Sequence, residues 1–299
     1  MNAETVHLFL NPAAGRGRAG KRARRIRELL GKPGFPVEIH LSSAVGDLES
    51  QVRRAVNDGA RRVVVAGGDG SIHEATNGIM DAEGNAALGV IPTGTGNDFA
   101  KACDVPLDWE RATTLLADRI AAGEQARSID IGKSNDRYFA NGAGIGFDAK
   151  VTRIARSYRM PIGDLVYLFA IFRSMVDGIA TPHMRITAGE RIWDGPITLA
   201  NVANGPWIGG MFHIAPMAKN FDGAFDLLIA APVSRSRVVT LLPKIMSGTH
   251  LPENEIIHKP VTQVVVECSE PVDSHLDGEV QPLQDRFEVS LFAGALRLL

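Results

Sequence analysis

The stretch Val63-Val64-Val65-Ala66-Gly67-Gly68-Asp69-Gly70-Ser71 constrains the fold of this chain more than any other. An apolar, β-branched run stops at glycines set around one aspartate, and helix-compatible sequence follows. That pattern is a strand ending in a loop whose backbone N–H groups can approach an anion closely. The N-terminus of the next helix adds partial positive charge. A glycine-rich turn after a strand also reads simply as a turn. A second loop of the same kind, Pro92-Thr93-Gly94-Thr95-Gly96-Asn97-Asp98, follows the apolar run Leu88–Ile91. Two such loops at one edge of one sheet favour a phosphate site over two unrelated turns, although Asp98 alone reads equally as a helix cap.

The rest of the first 130 residues alternates in the same β/α manner. Strands are predicted at Val6–Leu10, Val37–Leu41, Arg62–Ala66 and Leu88–Ile91, and helices at Lys21–Leu30, Asp47–Asn57, Ser71–Met80 and Trp109–Ala122. Such alternation predicts a doubly wound parallel sheet, which binds ligands beyond the carboxyl ends of its strands. Beyond residue 130 the pattern changes. Short apolar runs, among them Tyr138–Asn141, Met184–Thr187, Ile197–Asn204, Phe225–Ala230, Val261–Cys268, Val272–Leu276 and Phe287–Phe292, follow one another with few helices between. They predict a C-terminal antiparallel β-sandwich over 131–289, interrupted by a helical insertion over Ala149–Ile179 and a helix at Arg235–Ser247. Residues 290–299 are a candidate return to the first domain.

A chain of 299 residues with 45% hydrophobic content can bury two cores. Its net charge of −2 argues against nucleic acid as the main partner. The two cysteines, Cys103 and Cys268, read as small core residues in a reducing compartment, and no secretion signal or membrane span is evident. The expected location is cytoplasmic. The common phosphate fingerprint G-x-x-x-x-G-K-[ST] is absent.

Asn11-Pro12 with Gly15, GGDGSIHEATNGI (Gly67–Ile79) and PTGTGNDFAK (Pro92–Lys101) together resemble the diacylglycerol kinase catalytic domain superfamily, which includes bacterial lipid kinases, sphingosine kinases and ceramide kinases. The similarity continues to Asp222-Gly223-Ala224-Phe225-Asp226 and Leu276-Asp277-Gly278-Glu279, nearly the whole chain. The GGDG motif is shared with NAD kinases and phosphofructokinases, whereas G-T-G-N-D and the late D-G-E point to lipid kinases. The resemblance implies Mg²⁺-ATP in an interdomain cleft and transfer of the γ-phosphate to diacylglycerol, giving phosphatidic acid. It also implies work at a membrane surface, where the enzyme is peripheral, and a homodimer.

For the site, the resemblance implies Asp277 as general base, and a carboxylate can take the proton of an attacking hydroxyl. Asp277-Gly278 between apolar runs is equally a hairpin turn. Nucleotide contacts are implied for Asn11, Ser42, Gly67, Gly68, Asp69, Gly70, Ser71, Glu74, Gly94, Thr95, Gly96 and Asn97, with Ser43 an equal alternative to Ser42. Asp69 would repel phosphates unless a cation lay between, which suits Mg²⁺; it also reads as a carboxylate satisfied by loop N–H groups. Glu74 in a first helical turn is also ordinary dipole chemistry. Lys219, Asp222 and Ala224 match positions that hold a second Mg²⁺, two of them through backbone carbonyls, while Asp222-Gly223 also reads as a turn. Ser71 stands where threonine is common, and His73 where bacterial members often have asparagine.

The segment Arg16–Arg27 carries seven cations, which read either as a surface for anionic lipid headgroups or as a solvated helix face. Leu165–Phe172 reads as a buried helix, with an acyl-chain wall as the alternative. Rival readings are a kinase for another lipid (a sphingoid base, ceramide or phosphatidylglycerol), an NAD kinase-like enzyme, and a non-catalytic nucleotide or lipid sensor.

Overall fold

The structure is a computed structural model that describes residues 5–158, 163, 165–176, 178–189 and 191–299. The chain divides into two compact units, Met1–Ile129 with Gly294–Leu299, and Asp130–Ala293.

In the first unit, β1 (Val6–Leu10), α1 (Ala14–Gly31), β2 (Val37–Leu41), α2 (Asp47–Asn57), β3 (Arg62–Gly67), α3 (Asp69–Met80), β4 (Ala87–Pro92), α4 (Asp98–Ala102) and α5 (Trp109–Ala122) follow in turn. The sheet runs β2-β1-β3-β4, and all three pairings are parallel. Arg297 and Leu298 add a further parallel strand beside β4. Val63, Val64, Val65 and Ala66 are wholly buried, as a central strand covered on both faces requires. One face packs Val6, Leu8 and Leu10 against Ile26 and Leu30 of α1 and Leu116 and Ile120 of α5. Asp108 caps α5 by accepting from Arg111 N–H at 2.8 Å.

Two details differ from the sequence reading. Helix α1 begins at Ala14, seven residues before Lys21, because Asn11 closes a turn there: its Oδ1 accepts from Ala13 N–H at 2.9 Å and its carbonyl from Ala14 N–H. The second glycine loop runs into the short helix α4. Its cap is Asn97 in the left-handed region (φ 53°), and Asp98 lies inside the first turn.

The second unit is the expected antiparallel sandwich. Its elements are β5 (Arg127–Ser134, whose first residues belong to the first unit), β6 (Arg137–Phe139), β7 (Gly142–Gly146), α6 (Phe147–Ser157), α7 (Leu165–Val176), β8 (His183–Ala188), β9 (Arg191–Pro196), β10 (Leu199–Ala203), β11 (Phe225–Ala230), α8 (Arg235–Ser247), β12 (Ile256–Val261), β13 (Gln263–Val272), β14 (Ser274–Leu276), β15 (Glu279–Val280) and β16 (Gln284–Leu298). One sheet has the order β12-β11-β10-β7-β14-β15, antiparallel throughout. The other holds β16, β13, β8 and β9, also antiparallel. Phe139, Ile145, Val202, Phe225 and Leu227 meet Met184, Ile186, Val264, Val266 and Phe287 in a shared core.

The helical insertion is two helices, α6 and α7, and residues 159–162, 164 and 177 of it lie outside the described residues. Strand β9 was hidden in the sequence by its Gly195-Pro196 ending, which an edge strand tolerates.

Candidate nucleotide and catalytic site

Strands β1, β3 and β4 are parallel, so the loops after them emerge at one edge of the sheet. The two glycine loops press together there. A Cβ on Gly94 would lie 2.5 Å from the Gly68 Cα, and one on Gly68 would lie 3.0 Å from the Gly94 Cα. Only glycines permit that approach. The start of α1 joins them, since a Cβ on Gly15 would lie 2.3 Å from the Thr93 carbonyl oxygen. Thr93 N–H donates to the Gly67 carbonyl at 2.9 Å. Gly68, Asp69 and Gly70, with Gly94, Thr95, Gly96 and Asn97, keep solvent exposure, whereas the Thr93 hydroxyl is buried with no hydrogen-bond partner. The structure therefore collects the Asn11, Gly67–Ser71 and Gly94–Asn97 candidates in one place.

Within that place the polar groups divide their duties. Asp69 Oδ1 accepts from the Phe99 N–H at 3.1 Å, tying the first loop to the first turn of α4. Asn97 folds back on its own loop, accepting from Gly94 N–H at 3.1 Å and donating to Gly94 C=O at 3.3 Å. Ser71, buried, sits over Gly67, so that a Cβ on Gly67 would lie 2.4 Å from the Ser71 hydroxyl.

Glu74 is turned elsewhere. Its Oε2 accepts from Leu48 and Glu49 N–H at 3.1 and 3.3 Å, capping α2. Ser43 is also committed to α2, its N–H and hydroxyl both donating to Asp47 Oδ2 at 2.8 Å. These bonds hold the Asp47 carboxyl below its usual range. Ser42, buried at the end of β2, makes no such cap, and its N–H donates to the Leu10 carbonyl.

In the second unit, Asp277-Gly278 forms the hairpin turn between β14 and β15, both residues having positive φ (51° and 81°) as a tight hairpin demands. The Asp277 carboxylate reaches across to the segment that leads into β7. Oδ1 accepts from Asn141 N–H at 2.7 Å and Gly142 N–H at 3.0 Å, and Oδ2 accepts from Ala140 N–H at 2.9 Å. Asp277 N–H donates to the Gly142 carbonyl at 2.8 Å. The donor strand is itself fixed: Asn204 Nδ2 donates to the Asp130 and Ala140 carbonyls, and Asn141 Nδ2 to Trp207 C=O. Three backbone N–H groups thus orient the carboxylate.

Sequence reasoning missed a polar cluster beside this turn. His275 is almost wholly buried and accepts from Gly278 N–H at Nδ1, while its Nε2 lies 3.6 Å from Asp148 Oδ2. Asn201 Nδ2 donates to the same oxygen at 3.2 Å. A Cβ on Gly144 would lie 2.3 Å from both the Asp148 oxygen and His275 Nε2. The three residues come from α6, β10 and β14, so no local motif announces them.

Lys219, Asp222 and Ala224 lie in the turn that leads into β11. Asp222 is exposed and closes the turn by accepting from Ala224 N–H at 3.2 Å, while Asp130 Oδ2 accepts from Gly223 N–H. The turn reading of Asp222-Gly223 is therefore the geometry observed.

The cations of α1 are partly committed. Arg22 lies over the Trp109 ring at 4.9 Å, Arg18 donates to Gly15 C=O, and Arg24 and Arg25 flank Glu28 at 3.2 and 3.7 Å. The Arg16 side chain lies outside the described residues. Helix α7 corrects the buried-helix expectation. Ala170, Ile171 and Met175 are buried, but Leu165, Phe169, Phe172 and Val176 are exposed along one stripe. No helix among the described residues is long and apolar enough to cross a membrane.

A parallel α/β unit carrying paired glycine loops, together with a β-sandwich unit carrying a backbone-held aspartate, defines a two-domain phosphotransferase. Comparison with known proteins agrees. Residues 5–134 match the diacylglycerol kinase catalytic domain, and residues 142–299 match the YegS C-terminal NAD kinase beta sandwich-like domain. The diacylglycerol kinase of Bacillus subtilis (strain 168) is 29% identical over 92% of this chain and 89% of its own length. A YegS-like lipid kinase of Pseudomonas aeruginosa PAO1 is 32% identical over 85% and 81%. A solved Bacillus anthracis str. Sterne structure described as a diacylglycerol kinase superposes with a TM-score of 0.80 at 26% identity, covering 100% of this chain and 97% of that one. The chain belongs to the YegS-like bacterial lipid-kinase family, whose general activity is ATP-dependent phosphoryl transfer.

Proposed function

We propose that this protein phosphorylates diacylglycerol to phosphatidic acid, with Asp277 as general base. The observation that carries the nucleotide half of this reading is the Gly68–Gly94 approach. It brings two glycine-rich backbones together with no Cβ at the contact, which suits close approach of a polyphosphate. The buried, unpartnered Thr93 hydroxyl is a donor of the same kind. Gly67–Ser71 and Gly94–Asn97 would hold the phosphates, with Asn11 and Ser42 at the adjoining strand ends. Mg²⁺, when bound, neutralises charge that develops on the transferred phosphoryl group. Asp69 is the carboxylate among these loops that would hold it, its Oδ1 already fixed in place by Phe99 N–H.

Asp277 supports the acceptor half. Three backbone N–H groups orient the carboxylate, so little reorganisation is needed when it takes the acceptor's hydroxyl proton. Attack of the resulting oxygen on the γ-phosphorus forms the new P–O bond as the bond to ADP breaks. The exposed apolar stripe of α7 supports peripheral docking on a membrane from the cytoplasmic side, where an apolar acceptor resides. The second Mg²⁺ is proposed at the Lys219–Ala224 turn.

The deciding experiment offers labelled ATP and Mg²⁺ with a panel of lipids in mixed micelles, and NAD in parallel. Labelled phosphatidic acid is the expected product. Transfer to another lipid replaces the acceptor, and transfer to NAD alone overturns the lipid reading.

A further inference from the structure

The face of the N-terminal sheet opposite Leu8 and Leu10 carries a cluster that the kinase reading does not use. His7 on β1 pairs with Glu38 on β2, and Phe9 pairs with His40. Residues two apart on a strand share a face, so His7, Glu38 and His40 project together. His7 Nδ1 lies 3.2 Å from His40 Nε2, and each nitrogen lies 3.6 Å from an oxygen of Glu38. All the donor atoms fall within 4.8 Å of one another. The His40 ring is stacked on Phe9, with centroids 4.5 Å apart, and on His7 at 5.5 Å, which fixes its direction.

We propose that His7, Glu38 and His40 form a binding site for a divalent transition-metal cation of the zinc class. Nitrogen and oxygen ligands sit about 2.0–2.2 Å from zinc, so tetrahedral geometry separates them by roughly 3.3 Å. The 3.2 Å between the two nitrogens is close to that value, and Glu38 brings one oxygen to 3.6 Å from each nitrogen, Oε2 toward His7 and Oε1 toward His40. Two imidazoles and one carboxylate make a three-ligand set that leaves a position for water. The cluster opens into a depression of about 380 Å³, also lined by Asp58 and Arg61, which gives an ion and its water access from solvent.

Imidazole ligands select against magnesium, which prefers oxygen donors and retains its water. The site is therefore chemically distinct from the Mg²⁺ of phosphoryl transfer. An ion bound here clamps edge strand β2 to β1, two residues before Ser42, and stabilises the folded unit by mass action.

The test uses the full chain, stripped with chelator and titrated with Zn²⁺ by calorimetry and with Co²⁺ by visible absorption, both in excess Mg²⁺. One saturable site, the ligand-field spectrum of a four-coordinate nitrogen and oxygen set, and a higher thermal midpoint with Zn²⁺ are expected. His7→Ala and His40→Ala should each weaken Zn²⁺ by more than about 100-fold, beyond the loss of an outer-shell partner. Glu38→Gln alters an exposed side chain, so it should weaken binding while leaving the metal-free midpoint in place, and it decides the matter if a histidine variant fails to fold. The proposal is overturned by absence of saturable binding, by displacement of Co²⁺ by Mg²⁺, or by affinity unchanged in Glu38→Gln.

Discussion

The Asp69 carboxylate accepts a hydrogen bond from the Phe99 backbone N–H at 3.1 Å, joining two glycine loops whose strands are separated by a helix. The residue that looked awkward in an anion site thus has a structural duty as well as a proposed one toward Mg²⁺. The two can be separated. Asp69→Asn keeps an oxygen for Phe99 N–H but removes the charge. The KM for Mg²⁺-ATP should rise by ~10–100-fold, the range for losing a metal's supporting partner. Steady-state kinetics across Mg²⁺ concentrations checks this, and an unchanged KM would leave Asp69 with the structural duty alone.

Asp277→Asn should retain ATP binding and abolish phosphoryl transfer. Asparagine tolerates the positive φ of 51°, but its amide offers a single oxygen to three N–H donors. One donor is then left unpaired, so stability should also fall by about 1–3 kcal/mol. Equilibrium nucleotide binding, turnover and urea unfolding measured on one preparation separate these effects. Near-normal turnover would remove Asp277 from the mechanism.

Gly94→Ala places a methyl group 2.5 Å from the Gly68 Cα, a backbone atom that cannot swing aside. The loops must part, at a cost of about 1–3 kcal/mol for overpacking. Nucleotide affinity should be lost along with thermal stability, and fluorescent ATP-analogue titration measures the former.

Phe169→Ser combined with Phe172→Ser should lower cosedimentation with lipid vesicles by ~10-fold or more, since a phenylalanine side chain removed from water contributes about 1.5–3 kcal/mol. Both rings are exposed, so the thermal midpoint should hold. If instead the α1 cations carry the docking, association will fall with added salt and be indifferent to these changes.

Stability should decline as pH falls below about 6.5. Burial chiefly holds the His250 and His213 imidazoles below their ordinary value of 6.5, with His213 also depressing His250. The unfolded chain therefore takes up protons first as pH falls, which favours unfolding. This contribution is intact above the unfolded value and lost on descent toward the lowered folded one. Urea midpoints at about pH 8 and about pH 5.5 measure the slope, which His250→Gln should flatten.

The chain's own sequence determined the parallel N-terminal sheet, the β-rich second unit and the two glycine loops, because these rest on local patterns: apolar runs, their spacing and glycines at strand ends. The Asp277 turn was legible for the same reason. Helix α7 was not, since whether Phe169 and Phe172 are covered depends on which neighbours reach them. Only the tertiary structure turned Glu74 toward α2, committed Ser43 to Asp47, and set three N–H donors from Ala140–Gly142 around a carboxylate more than a hundred residues later. It likewise brought His7 to His40, and Asp148 to His275. Hydrogen bonds and ligand sets of this kind depend on ångström-scale placement between distant strands, and a linear pattern carries no such distance.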